Sequence, residues 1–292
     1  MVINQASLGA VYKGFKTIFN EAFHAVEPLY GKVAMVVPSS VREETHSWLG
    51  AFPKMREWVG ERHIKNLQMH SYSIKNKDWE VTIEVDRNDM EDDSVGVYRP
   101  IVAELGRVAA VHPDELVFGL FPQGFLTACY DGQYFFDTDH PVGGSTVSNF
   151  GGGAATAWYL LDVSKAVKPF IFQSRRDVEF VSKDRPDDES VFMRKKYVYG
   201  VDRRDNAGFG LWQLAYASKD TLDAANYGNA RAAMLGFKDG EGRPIGITPN
   251  LLIVPPSLEA AARELLMNER DALGAVNKWK NTAELLVVPW LG

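Results

Sequence analysis

The chain has 292 residues, long enough for one large domain or two modest ones, and a hydrophobic content of 46% is ample for a core. Its formal net charge of -6 argues against a dedicated phosphate-binding surface, because affinity for nucleic acid comes largely from clustered Lys and Arg; any DNA it meets is met indirectly. A single cysteine, Cys129, excludes an internal disulfide and a multi-cysteine metal site and suits a reducing cytosol, and neither a signal peptide's apolar run nor a membrane-span length is found.

Leu8, Val11, Tyr12, Phe15, Ile18, Phe19, Phe23 and Val26 recur at helical spacing and predict an amphipathic helix over 8–26. Its apolar face needs a cover, either its own domain or a neighbouring subunit. A short strand over 33–37 is closed by Pro38. Over 79–86 the period changes to two: Trp79, Val81, Ile83 and Val85 alternate with Glu80, Thr82, Glu84 and Asp86, a strand with one wet face. Residues 64–74 offer a partner strand, with Lys75, Asn76, Lys77 and Asp78 as the polar turn between them. Two strands alone are marginal in water, so this hairpin reads either as an arm that another molecule stabilises or as an ordinary surface hairpin.

The longest predicted helix covers 92–124. Asp92, Asp93 and Ser94 supply capping oxygens, and Ile101, Leu105, Val108, Val111 and residues 117–120 form the apolar stripe. Pro100 is tolerable only in the first turn, and Pro113 removes one backbone hydrogen bond, so a kink or a restart is expected there. Cys129, flanked by Thr127, Ala128 and Tyr130, is expected to be a packed residue rather than a nucleophile. Residues 130–141, YDGQYFFDTDHP, turn at Asp131-Gly132 and then offer Asp137, Asp139 and His140, carboxylate and imidazole groups of the kind that hold metals. Alternate spacing within one loop gives at most part of a site, so turn and capping roles are expected, with no metal, cofactor or catalytic residue.

Residues 143–153, GGSTVSNFGGG, read as a flexible linker, since a phosphate cradle would need a strand before it and a helix after it. Strands are predicted at 158–161, 170–173, 191–201 and 211–217, punctuated by the charged turns KDRPDDE and DRRDNAG, whose mixed signs suit a solvated rim or intersubunit salt bridges. A helix over 221–235 is capped by Thr221. Residues 250–254, NLLIV, read as a strand buried on both faces, Pro255-Pro256-Ser257 leads into a helix over 258–267, and 283–291 closes the chain as a second core strand. Removing 283–292 is expected to unfold the domain that holds this strand, whereas removing 1–26 is expected to spare the folded subunit and weaken its association.

In this order, REWVGER (56–62), IEVDRNDMEDD (83–93), YDGQYFFDTDHP (130–141), WYLLD (158–162), KPFIFQSR (168–175), YGV (199–201), LWQ (211–213) and VPPSL (254–258) give a chain that resembles the major head subunits, or major capsid proteins, of Mu-like bacteriophages and prophages over nearly its whole length. The resemblance implies an α+β fold, the tailed-phage capsid fold of phage Hong Kong 97. Its parts would be an N-terminal arm (1–52), an E-loop (53–79), a peripheral domain with a spine helix (80–124 and 249–292) and an axial domain (125–248). It further implies a structural protein without catalysis. Hexamers and pentamers of it would form the icosahedral virion shell in the bacterial cytoplasm and enclose double-stranded DNA, with scaffold, protease, portal and decoration proteins as the partners to look for. Arg56, Glu57, Glu61 and Arg62 would serve intersubunit ion pairs. In one relative an E-loop lysine is linked to a neighbour's asparagine; Lys65, Lys75 and Lys77 lie in the corresponding region, but no acceptor or helping acid is identifiable and no cross-link is expected. An encapsulin-like nanocompartment shell is the alternative within this fold. Outside it, the alternative is a metal-dependent hydrolase built on Asp137, Asp139 and His140.

Overall fold

Two sheets carry the chain in this computed structural model, which describes residues 4–50, 72–92, 94–185, 187–270 and 274–292. In the first sheet, Ala34–Pro38 runs parallel to Phe170–Lys183; that strand pairs antiparallel with Lys196–Phe209, which pairs antiparallel with Lys77–Asp86. In the second, Glu284–Val287 runs parallel to Leu251–Val254, followed by antiparallel Trp158–Leu161 and Ala215–Lys219, with Phe150–Gly153 at the far edge.

The alternating strand is present as Lys77–Asp86, with Glu80, Thr82 and Glu84 exposed. Its partner among the described residues is Lys196–Phe209; most of 64–74 lies outside the described residues, together with Arg56, Glu57, Glu61, Arg62 and Lys65. Ser73–Lys75 pairs instead with Glu43–Thr45. Asn76, read as part of a polar turn, is buried: its Nδ2 donates to Ser39 Oγ and to the Val41 carbonyl, both at 2.8 Å, and its Oδ1 accepts from Gln173 Nε2 at 2.8 Å. A side chain so fully satisfied indoors cannot be the solvated tip of an arm.

The long helix starts later than expected, at Arg99, after a 3-10 turn over Ser94–Tyr98, and no side chain caps it. Asp92 instead closes a shorter helix, Arg87–Glu91, whose first turn is capped by Asp86 Oδ1 accepting from Asn88 N–H at 2.8 Å. Pro100 sits in the first turn, where its missing N–H costs nothing. The helix continues through Pro113 to Phe118 rather than restarting. The Ala109 carbonyl, which Pro113 leaves without its usual donor, accepts from Arg203 Nη1 at 3.1 Å. Arg203 is held in turn by Asp205, which is wholly buried. Both belong to DRRDNAG, expected as a turn but found inside the strand Lys196–Phe209. Strand alternation sends Arg203 and Asp205 inward, and Asp202 and Arg204 outward to Arg176 and Asp78.

This helix joins two cores. Its first half contributes Val102, Leu105 and Ala109 to a cluster with Phe180, Tyr199 and the N-terminal helix Gln5–His24, from which Leu8, Phe15 and Phe19 are buried. The N-terminal apolar face is thus covered by the chain's own spine and sheet. Its second half sends Val117 and Phe118 into the larger core, where Phe121 packs on Tyr159 and Phe170. The two helices approach closely at Gly106, where a Cβ would lie 2.5 Å from the Phe19 carbonyl oxygen. Gly106→Ala is therefore expected to cost about 1–3 kcal/mol through overpacking, read as a shift of the urea midpoint.

Residues 143–153 are not a linker. Ser145–Val147 forms a hairpin with His140–Val142, and Phe150–Gly153 joins the second sheet. Gly153 has φ +90, and a Cβ there would lie 2.2 Å from the Lys219 backbone, so only glycine fits. The strand expected over 191–201 divides into a helix, Glu189–Arg194, and the start of the long strand, with Lys195 at φ 55 between them. The 211–217 segment is a 3-10 turn, Trp212–Leu214, before its strand, and the helix Ala224–Leu235 is capped by Asp223, not Thr221. Leu251–Val254 is buried throughout as expected, whereas Glu284–Val287 is a sheet edge with only Leu286 buried.

Candidate functional site

Asp137, Asp139 and His140 do not converge as a ligand set. Asp137 closes its own turn, accepting from Tyr134 N–H at 3.2 Å and from Thr138 N–H at 2.7 Å, and Asp139 is exposed. His140 is fully buried and faces elsewhere: Nδ1 lies 2.8 Å from Asp131 Oδ2, Nε2 lies 3.1 Å from Asn149 Oδ1, and the ring stacks on Trp212 with centroids 3.9 Å apart. Cys129 completes the group, its Sγ donating to Asp131 Oδ1 at 3.1 Å. Among the described residues, Cys129, Asp131 and His140 are the one set of three metal-capable side chains that come together, their ligand atoms all within 4.8 Å of one another.

The backbone builds this centre locally. Gly132 at φ +90 turns the chain, and the Ala128–Tyr134 bridge folds the segment so that Cys129 and Asp131 meet the strand His140–Val142. Burial pushes the Asp131 carboxyl up, but hydrogen bonds from His140 and Cys129 outweigh it and hold that group below the usual carboxylate range. Burial first, and the Asp131 charge second, push the Cys129 thiol well up, so it keeps its proton and is no nucleophile. From sequence, His140 is legible as a chemically capable residue, whereas Asp131 is legible only as a turn residue. A Cys-x-Asp pair ahead of a histidine was the available signal, and it is a weak one.

A second feature is the outer face of the first sheet. Glu80, Asp202 and Glu179 form one cross-strand row, and Asp78, Arg204 and Arg176 the next. Such exposed charges contribute little within a subunit. At one end of the sheet, the helix Glu189–Arg194 leaves Phe192 79% and Met193 71% exposed. Two adjacent large apolar side chains are thus left in water.

A sequence profile of the Mu-like prophage major head subunit gpT matches residues 8–291. The chain belongs to this family of major head subunits. It is 42% identical to the Mu-like prophage FluMu major head subunit of Haemophilus influenzae over 96% of each chain, and 42% identical to the major capsid protein of Escherichia phage Mu over the whole of both. The subunit in the procapsid of bacteriophage JBD30 is 43% identical and superimposes with a TM-score of 0.88 over 99% of this chain and 100% of that one. The head-subunit match establishes the tailed-phage capsid fold and a place in the virion shell, which is built from many copies of one chain. Among the described residues, no helix is long and apolar enough to cross a membrane. For a major head subunit the chemistry that matters is association between copies of the chain.

Proposed function

We propose that this subunit closes into an icosahedral head around double-stranded DNA, with hexamers and pentamers as its building units and no catalytic step of its own. The full-length agreement in fold with a subunit of an assembled procapsid is the observation that supports this reading. Residues 1–52 serve as the arm and 53–79 as the E-loop. In place of a division into 80–124 with 249–292 (peripheral) and 125–248 (axial), the spine helix and the first sheet make the peripheral part, and the second sheet, which includes Leu251–Val254 and Glu284–Val287, makes the axial part. What supports redrawing it is that Phe170–Lys183 and Lys196–Phe209 pack with the spine, whereas the closing strands share a sheet with Trp158–Leu161. Scaffold, protease, portal and decoration proteins are its partners during assembly in the host cytoplasm. With a net charge of -6, the subunit holds DNA by enclosure rather than by Lys and Arg contacts.

Electron microscopy and light scattering of the full-length protein are expected to show shells, rings or capsomers. A sharp monomer over a wide concentration range, with and without scaffold protein, would overturn the proposal, and particles filled with protein cargo in place of DNA would favour a nanocompartment. Replacing both Phe192 and Met193 with serine is expected to shift subunit stability by no more than about 0.5 kcal/mol while lowering the yield of closed particles. An unchanged yield removes this helix from the contacts between subunits.

A further inference from the structure

Asn149 decides how the His140 ring can be used. Its Nδ2 donates to the Phe135 carbonyl at 2.8 Å and lies 3.3 and 3.4 Å from the carbonyls of Ala215 and Trp212, while its Oδ1 accepts from Asp137 N–H at 2.9 Å. Turning the amide over would set NH2 against an N–H and oxygen against three carbonyls, so Oδ1 faces His140 and Nε2 carries a hydrogen. With its hydrogen on Nε2 alone, His140 aims the Nδ1 lone pair at another acceptor, Asp131 Oδ2, only 2.8 Å away. Two acceptors this close repel unless a positive charge lies between them, and that charge is either a proton or a metal cation.

We propose that Cys129 Sγ, Asp131 Oδ2 and His140 Nδ1 form a binding site for a divalent transition metal of the zinc class, with Asn149 Oδ1 orienting the ligating imidazole. Sulfur, imidazole nitrogen and carboxylate oxygen are the donor set zinc takes, and three protein ligands leave a fourth position for water. A fixed acceptor on the far ring N–H is the support that metal-bound histidines use. Binding exchanges protons for metal: the thiol gives its proton to solvent as the S–metal bond forms, and Nδ1 gives up any proton it shares with Asp131. Affinity therefore rises with pH. The metal would tie the turn at Asp131-Gly132 to the strand His140–Val142 and stabilise the folded chain by mass action.

The test uses full-length protein stripped with chelator and titrated with Co2+. Cys129 is the single cysteine, so a near-ultraviolet thiolate-to-cobalt charge-transfer band can arise only there. The expected result is a band that saturates at about one cobalt per chain, is bleached by Zn2+ and is absent in Cys129→Ser, together with a Zn2+-dependent rise in Tm of the wild type. Absence of the band from the wild type at any cobalt concentration, or its survival in Cys129→Ser, overturns the proposal, and a proton alone then joins His140 to Asp131. Should Cys129→Ser fail to fold, the wild-type titration decides by itself.

Discussion

Replacing Arg203 with methionine is expected to destabilise the subunit by about 3–5 kcal/mol, because it strands the Asp205 carboxylate in the interior without its cation. Asp205 is wholly buried; its remaining neighbours are His112, with Nε2 3.5 Å from Oδ1, and Trp79, whose Nε1 donates to its backbone carbonyl at 3.3 Å. Neither supplies the charge-assisted bond that Arg203 does. A second part of the loss belongs to the spine, since Arg203 also serves the Ala109 carbonyl that Pro113 leaves without a donor. That part can be separated. In the double variant Arg203→Met with Pro113→Ala, the new N–H at 113 restores the intrahelical bond, and about 0.5–1.5 kcal/mol should return. Pro113→Ala alone should change little, its gain in helix bonding offset by a looser unfolded chain. Urea melts of the four proteins close the cycle. A coupling indistinguishable from zero would mean that Arg203 contributes through Asp205 only.

Arg203 also shows where local reading of this sequence ends. Periodicity found what is decided within a few residues: the N-terminal helix, the alternation in Lys77–Asp86, the place of Pro100 and the buried run Leu251–Val254. It could not find the partner of Lys77–Asp86, because that strand lies more than a hundred residues on and nothing local specifies the pairing. DRRDNAG read as a turn because four charges in a row usually face water, whereas a strand through the middle of a sheet sends alternate ones inward, to the gap that Pro113 opens. The same limit holds at the polar centre. His140 was legible as a chemically capable residue, but its partners follow from the turn at Gly132 and the clamp on Asn149, and spacing alone had pointed to Asp137 and Asp139. Family likeness bridged this gap for the fold as a whole. The motif 130–141 contains Asp131 and His140, but the likeness assigns neither a chemical role.

Deleting residues 1–26 is expected to loosen the first core rather than only to weaken association, contrary to what the position of the helix in the sequence implies. Phe15 meets Tyr199 edge-on at 5.1 Å, Phe19 lies on Phe180 at 5.3 Å, and Tyr12 donates its hydroxyl to the Phe180 carbonyl at 2.9 Å. Burial of Leu8, Phe15 and Phe19 contributes roughly 5–9 kcal/mol at about 1.5–3 kcal/mol per large apolar side chain. A domain's whole stability is about 5–15 kcal/mol, so the first core cannot lose that contribution and keep its cooperativity. The second core has its own contacts and should survive, which makes the effect regional. Hydrogen exchange of the truncated protein is expected to lose protection in Lys77–Asp86, in the first half of the spine and in the distal parts of the two long strands, while Trp158–Leu161, Ala215–Lys219 and Leu251–Val254 keep theirs. A milder probe, Phe15→Ala, should show the same regional pattern at a cost of about 3–5 kcal/mol. Full protection in the first sheet after the deletion would mean that the N-terminal helix is dispensable to the subunit and serves its neighbours alone.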